Sequence, residues 1–208
     1  LDPEIVLLLF HVGTDFRNNR AAVRATVRRG RLVPTFRCNR LKAAFETHSS
    51  LYAWVLRLVK GDSPWARALA QIGLVKRAYP QRLQLFSTDP YPGLPDTERA
   101  LTEFARVTHA EGRRLLLCVV PDKLQIEADE FAHQIEMLGF QPDEYDLDGP
   151  NRFLHRLCTA NRVELVDFTP AFRRLRDAGS PPFLDDDIHW SLEGRREAAR
   201  VAAAALGT

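Results

Sequence analysis

The sequence predicts an α/β domain in which helices flank a parallel β-sheet. Three apolar runs have the length of strands: EIVLLLFHV at 4–12, RRLLLCVV at 113–120 and VELVDF at 163–168. Near-continuous apolar runs of this length fit strands that are buried on both faces. Because helical patterns alternate with these runs, a parallel sheet with right-handed crossovers is expected.

Three later segments carry the helical patterns. DTERALTEFARVTHAEG has an acidic start and a glycine stop at Gly112, and DGPNRFLHRLCTANR places Pro150 in its first turn. LEGRREAARVAAAALG predicts an alanine-rich final helix. GTDFRNN, after the first strand, is typical of a loop. These elements place GTDFRNN, PDK after the second strand and DDDIHW together at the carboxyl edge of the sheet, where ligands bind.

The length of 208 residues and the hydrophobic content of 45% predict a single domain over residues 1–208. A long irregular and helical insertion is expected at about residues 17–95. Within it, LKAAFETHSSLYAWVLRLV predicts one or two helices. The proline-rich stretch YPQRLQLFSTDPYPGLPD predicts a surface loop.

Composition excludes several classes of function. The net charge is +2 and the arginines are spread along the chain, so no nucleic-acid surface is expected. The three cysteines show no CxxC spacing, which argues against structural zinc, and Cys118 and Cys158 lie in apolar contexts that predict burial. No apolar stretch reaches the length that crosses a bilayer. The sequence does not decide the compartment.

His189 follows three aspartates in FLDDDIHWSLEG, a pattern that suits a histidine acting as a base. A carboxylate on one ring nitrogen fixes the tautomer and stabilises the imidazolium formed on proton transfer. Asp186 and Asp187 both lie close enough in sequence to serve. The alternative is that Asp185–Asp187 only place negative charge at the N-terminal end of the final helix, where the helix dipole stabilises it. Ser191 or a neighbouring residue would then cap that helix.

Two segments resemble the SGNH (GDSL-type) hydrolase family: LDPEIVLLLFHVGTDFRNN and DDDIHWSLEGRREAARVAAAAL. The family's third block, a strand ending in Gly-x-Asn-Asp, corresponds to Gly13, Thr14 and Asp15, so the family's oxyanion-hole asparagine is either replaced by Thr14 or absent. Its fifth block, Asp-x-x-His, corresponds to Asp186 and His189. Relatives with Asp-x-His-Trp would select Asp187 instead.

This resemblance implies a flavodoxin-like three-layer fold and ester hydrolysis by a Ser-His-Asp mechanism. His189 would be the base, Asp186 or Asp187 the orienting acid, and Gly13, Thr14 and Asp15 the oxyanion and substrate-binding residues. The family's Gly-Asp-Ser block is not found, so the chain is expected to be the C-terminal part of the domain. The nucleophilic serine would lie outside this chain, in an N-terminal segment belonging to a longer protein or supplied by another chain.

The resemblance implies no metal or organic cofactor, and a small-molecule or carbohydrate ester as substrate. Two alternatives remain on the same scaffold: a carbohydrate O-acetyltransferase and a catalytically inactive binding domain. Three further groups are left open. Asp122 and Lys123 fit a surface ion pair better than a substrate contact, whereas Trp190 fits a cleft wall and a packing role equally.

Overall fold

The computed structural model describes residues 3–20, 25–28, 31–34, 83–184 and 188–207. Contacts divide the chain into two units, Leu1–Ala21 with Leu85–Thr208, and Ala22–Gln84. The first unit contains the parallel sheet. The predicted helices of LKAAFETHSSLYAWVLRLV lie outside the described residues, and the predicted insertion at about 17–95 stays a prediction.

The strands in the described part of the chain are β1 (Ile5–His11), β2 (Ala25–Arg28), β3 (Arg31–Pro34), β4 (Arg114–Val120) and β5 (Glu164–Asp167). Strands β1, β4 and β5 form a parallel sheet in the order β1–β4–β5. Leu7 pairs with Leu116 on one side of β4, and Leu117 pairs with Leu165 on the other. Strands β2 and β3 form a separate antiparallel pair in the second unit. The three predicted strands are therefore confirmed, as is the parallel α/β fold.

The helices in the described part of the chain are α1 (Val12–Arg20), α2 (Leu83–Phe86), α3 (Leu94–Ala110), α4 (Lys123–Ile126), α5 (Ala128–Leu138), α6 (Gly149–Asn161), α7 (Thr169–Asp177) and α8 (Leu192–Leu206). A 3₁₀ turn covers Pro142–Glu144. Gly112 follows α3 with a φ of 71°, which explains the glycine at this stop.

Two sequence expectations are wrong in this part of the chain. GTDFRNN is the body of helix α1, which begins directly after β1. Asp15 explains the start of this helix, because its carboxylate accepts a hydrogen bond of 2.7 Å from the backbone N–H of His11. YPQRLQLFSTDPYPGLPD is not simply a surface loop, since it contains α2 and its Phe86 is fully buried.

Each face of the central strand β4 packs against helices. Leu115 and Leu117 face Leu101 of α3 and Leu157 of α6. The opposite face, which carries Leu116, packs against a cluster of aromatic and small residues from β5, α7, the following loop and α8. These three layers bury the apolar run of β4 on both sides, as a central parallel strand requires. Among the described residues, no helix is both long enough and apolar enough to span a membrane.

Candidate active site

A cleft of about 580 Å³ opens beside β1, on the sheet face that α8 covers over β4 and β5. Apolar side chains make most of its wall, and His11, Thr14, His189 and Arg195 supply its polar groups. Its lining residues are Leu9, His11, Thr14, Val120, Leu184, Ile188, His189, Trp190 and Arg195. The cleft lies at the carboxyl ends of β1 and β4, the edge that the fold predicts for a ligand.

Helix α1 brings the predicted oxyanion residues to this edge in different ways. Thr14 lines the cleft, and its hydroxyl lies 3.2 Å from Nδ1 of the His11 ring. Gly13 and Asp15 do not line it. Gly13 is packed so tightly that a Cβ on it would overlap the Asp122 carboxylate. The first N–H groups of a helix lack partners within it, and at this helix start the N–H of His11 donates to the Asp15 carboxylate.

Asp122 lies behind Gly13 and is fully buried. Its Oδ1 accepts a hydrogen bond of 2.9 Å from the N–H of Leu124, and the N–H of Asp122 donates to Oε1 of Gln125 at 2.9 Å. This reciprocal capping box starts helix α4 directly after β4. The expected surface ion pair is therefore wrong for Asp122, because the carboxylate is buried and caps a helix.

The same expectation is wrong for Lys123, whose exposure is 7%. Its ammonium donates to the carbonyl oxygen of Leu184 at 3.2 Å. It also lies 3.6 Å from a carboxylate oxygen of Glu127 and 3.9 Å from one of Glu130. Burial raises the pKa of the Glu127 carboxyl, and the Lys123 ammonium acts against that shift. Lys123 thus joins α4 to the segment that leads to His189.

Backbone pairing joins the two sides of the segment that leads to His189. Phe183 and Trp190 form an antiparallel bridge, and the N–H of Leu184 donates to the carbonyl of His189 at 3.0 Å. The His189 side chain is exposed and faces the cleft. Asp185–Asp187 lie outside the described residues, so the predicted partnership of Asp186 or Asp187 with His189 stays a prediction.

Trp190 fills both of the roles left open by the sequence. It lines the cleft, and its ring makes edge-to-face contacts with Phe168 and Phe172 at centroid distances of 5.9 and 5.4 Å. Edge-to-face aromatic pairs of this separation are favourable. The residue next to His189 is therefore anchored in the core.

Helix α8 fixes the other end of this segment. Ser191 caps the helix by accepting a hydrogen bond of 3.0 Å from the N–H of Gly194, and its hydroxyl donates to the Pro181 carbonyl at 2.6 Å. A Cβ on Gly194 would overlap the carbonyl oxygen of Pro182. The glycine thus lets the first turn of α8 approach the Pro182 backbone closely.

Ser191, Cys118 and Cys158 do not suit the role of nucleophile in acyl transfer at His189. Ser191 is buried with its hydroxyl committed to the helix cap. Cys118 and Cys158 are buried as predicted, and burial raises the pKa of the Cys158 thiol to about 11. A raised pKa suppresses the thiolate, which is the nucleophilic form. Neither of these thiols lines the cleft.

Residues 82–208 match the family model ALGX, described as an SGNH hydrolase-like domain, acetyltransferase AlgX. The chain belongs to this family. Its SGNH hydrolase-like scaffold agrees with the parallel sheet and its flanking helices, and the resemblance inferred from sequence is confirmed. The matched region includes His189 and the three aspartates, whereas Gly13–Asp15 lie before it. None of the curated proteins gives a match.

The structure brings Thr14 and His189 to one cleft and packs Asp122 behind Gly13. Sequence reasoning missed the buried roles of Asp122 and Lys123. The signal was present, because Asp122 and Gln125 have the spacing of a capping box. His11 reads more readily from the sequence as a core histidine than as a cleft residue, and the structure places it in the cleft wall.

Proposed function

We propose that this domain transfers an acyl group from an oxygen ester by a serine–histidine–aspartate mechanism. The observation that carries the proposal is the cleft that His189 and Thr14 line together at the carboxyl edge of the sheet. Membership of the SGNH hydrolase-like family supports it. His189 is the base, Asp186 or Asp187 orients its ring, and the nucleophilic serine comes from outside residues 1–208.

In the first half of the reaction, the serine Oγ bonds to the ester carbonyl carbon and its proton passes to His189. We expect Thr14, which lines the cleft, to face the tetrahedral oxyanion together with donors from outside residues 1–208. The bond from carbon to the alcohol oxygen then breaks, and that oxygen takes the proton from His189. An acyl-serine and a free alcohol result.

In the second half, a hydroxyl attacks the acyl-serine, and its proton returns to the serine through His189. Water as the acceptor makes the domain an ester hydrolase; a sugar hydroxyl makes it a carbohydrate O-acetyltransferase. The transferase is as well supported as the hydrolase, because the description of the matching family names an acetyltransferase. The ratio of acetylated oligosaccharide to free acetate, measured from one acetyl donor, separates the two.

The test uses the full-length gene product with a fluorophosphonate probe and an aryl acetate. We expect one adduct, mapped by peptide mass spectrometry to a serine outside residues 1–208. His189→Ala should abolish turnover and labelling with little loss of thermal stability, because the side chain is exposed. His155→Ala, an exposed helical histidine away from the cleft, is the control. Full activity in His189→Ala would exclude the mechanism, and an unlabelled, inactive wild type would favour a binding domain.

The orienting acid is identified by two further variants in the same assay. Asp186→Asn and Asp187→Asn each keep the size of the side chain and remove its charge. We expect one of them to lower kcat by about 10³-fold or more, since the equivalent change in a serine protease costs about 10⁴-fold. Equal and small effects of both would contradict a triad built on either residue.

A further inference from the structure

Lys123 is a buried cation, which is uncommon because an ammonium loses its hydration on burial. Such a group persists where acceptors are held at fixed positions around it. Among its described contacts, acceptors come from two directions: Glu127 and Glu130 from the chain after α4, and the Leu184 carbonyl from the segment before His189. The carbonyl at 3.2 Å is at hydrogen-bond distance, whereas the carboxylates at 3.6 and 3.9 Å are at ion-pair distance.

Leu184 links this cation to His189 through backbone atoms. Its carbonyl accepts from Lys123, and its N–H donates to the carbonyl of His189. The side chains of Leu184 and His189 both line the cleft. A displacement of Leu184 therefore moves the backbone of His189 relative to the cleft.

Helix α4, which carries Lys123, is hydrogen-bonded to the elements around it. Helix α4 starts at the capping box of Asp122 and Gln125, and the Gln125 amide also donates to the carbonyl of Leu147 and the side chain of Asn151, both at 2.7 Å. These bonds tie α4 to the loop before α6 and to α6 itself. Lys123 thus extends from a fixed point at the end of β4 to the segment that carries His189.

We propose that Lys123 is a positioning residue for His189, holding the Leu184–His189 backbone pair at the cleft. This inference rests on the proposed function, in which His189 is the catalytic base. Lys123 touches neither substrate nor the reacting atoms in this role; it acts through the Leu184 carbonyl.

The test compares Glu127→Gln with Glu127→Gln/Lys123→Met in the full-length protein. Removing the nearest carboxylate together with the cation reduces the buried charge left behind, so the double variant is the one expected to fold. Arg173→Met is a matched control, because Arg173 donates to the Gln125 carbonyl of the same helix at 3.2 Å and ion-pairs with Asp148.

The first measurement is hydrogen exchange at the Leu184 amide, which requires no catalysis. We expect exchange in the double variant to be ~10-fold faster than in Glu127→Gln, because local opening exposes the bond to His189. Arg173→Met should leave it unchanged. Unchanged exchange in the double variant would overturn the inference, whatever the turnover.

The second measurement is ester turnover by the same variants. We expect the double variant to lose about 10- to 100-fold in kcat with KM altered by less than ~3-fold, since a small misplacement of a catalytic group slows the chemical step. A change in KM with kcat unaltered would contradict a positioning role. Faster exchange in a protein whose wild type turns over no ester would instead contradict the proposed function, and leave the contact between Lys123 and the His189 segment standing.

Discussion

Strands β1 and β4 each have seven residues, six of them apolar, and pair in parallel register, yet they differ in burial. Six residues of β4 are buried, whereas Leu7 and Leu9 of β1 are 51% and 60% exposed. Their register partners, Leu116 and Cys118, are 2% and 1% exposed. The difference arises because α7 and α8 cover this face over β4 and β5, and the cleft lies over β1. The same apolar pattern therefore builds a core in one strand and a cleft wall in its neighbour.

The largest expected effect comes from one substitution made in both strands. Leu116→Ala should lower the free energy of unfolding by about 2–5 kcal/mol, because it leaves a cavity in a closed layer. Leu7→Ala, its register partner, should cost about 1 kcal/mol or less, since half of the side chain is already in solvent. Urea denaturation of both variants measures the difference. Equal losses would break the comparison and mean that Leu7 is covered in the intact protein.

The second effect concerns the close approach of the first turn of α8 to the Pro182 backbone, in the segment that leads to His189. Gly194→Ala should cost about 1–3 kcal/mol, because the new methyl overlaps the Pro182 carbonyl and forces the backbone apart. Gly149→Ala is the control, as its Cβ would meet only the movable Asp146 side chain, at 3.2 Å. Thermal unfolding compares the two. A neutral Gly194→Ala would show that the segment before His189 adapts without strain.

The sequence predicts the three strands and the final helix well because continuous apolar runs and helical periodicity are local signals. It fails where a polar residue bonds to the backbone at a helix start or is buried by the tertiary structure. Asp15 belongs to a stretch that reads as a loop, and here it bonds to the N–H that ends β1. Asp122 and Lys123 read as surface charges, yet the packing of α4 between β4 and the His189 segment buries both.

The candidate site shows the same division between local and tertiary information. His189 can be proposed from sequence because its motif is contiguous with the aspartates and with Gly194. The approach of Asp122 to Gly13 cannot, since these residues lie on different strand ends and only the β1–β4 pairing brings them together. The cleft itself also depends on which helices cover which strand, and a strand pattern alone does not record this.

The third effect is a pH dependence at the helix after β4. Burial raises the pKa of Glu127 above its ordinary value of 4.5, so the folded state binds this proton more tightly than the unfolded state. The stabilisation is present below pH 4.5 and is lost as the pH rises through the raised pKa. The difference in unfolding free energy between wild type and Glu127→Gln should therefore fall over that range, as measured by urea denaturation at several pH values. A difference that grows with pH would mean that the attraction of Lys123 outweighs burial.

The smallest effect lies at the other end of β4, away from the cleft. Arg114 makes a bidentate pair with Glu164 of β5 at 2.8 and 2.9 Å, and its hydrogen bond lowers the pKa of the Glu164 carboxyl. Both side chains are about half exposed, so solvent and salt screen the pair. Carbon-detected NMR titration should find the Glu164 pKa below its ordinary value in low salt, and closer to it in Arg114→Gln or in 1 M salt. The Glu164 carboxylate contributes stability above its ordinary pKa and loses it as the pH falls through the lowered one. A Glu164 pKa insensitive to both changes would mean that strand β4 is held to β5 by backbone pairing and the core alone, without help from this pair.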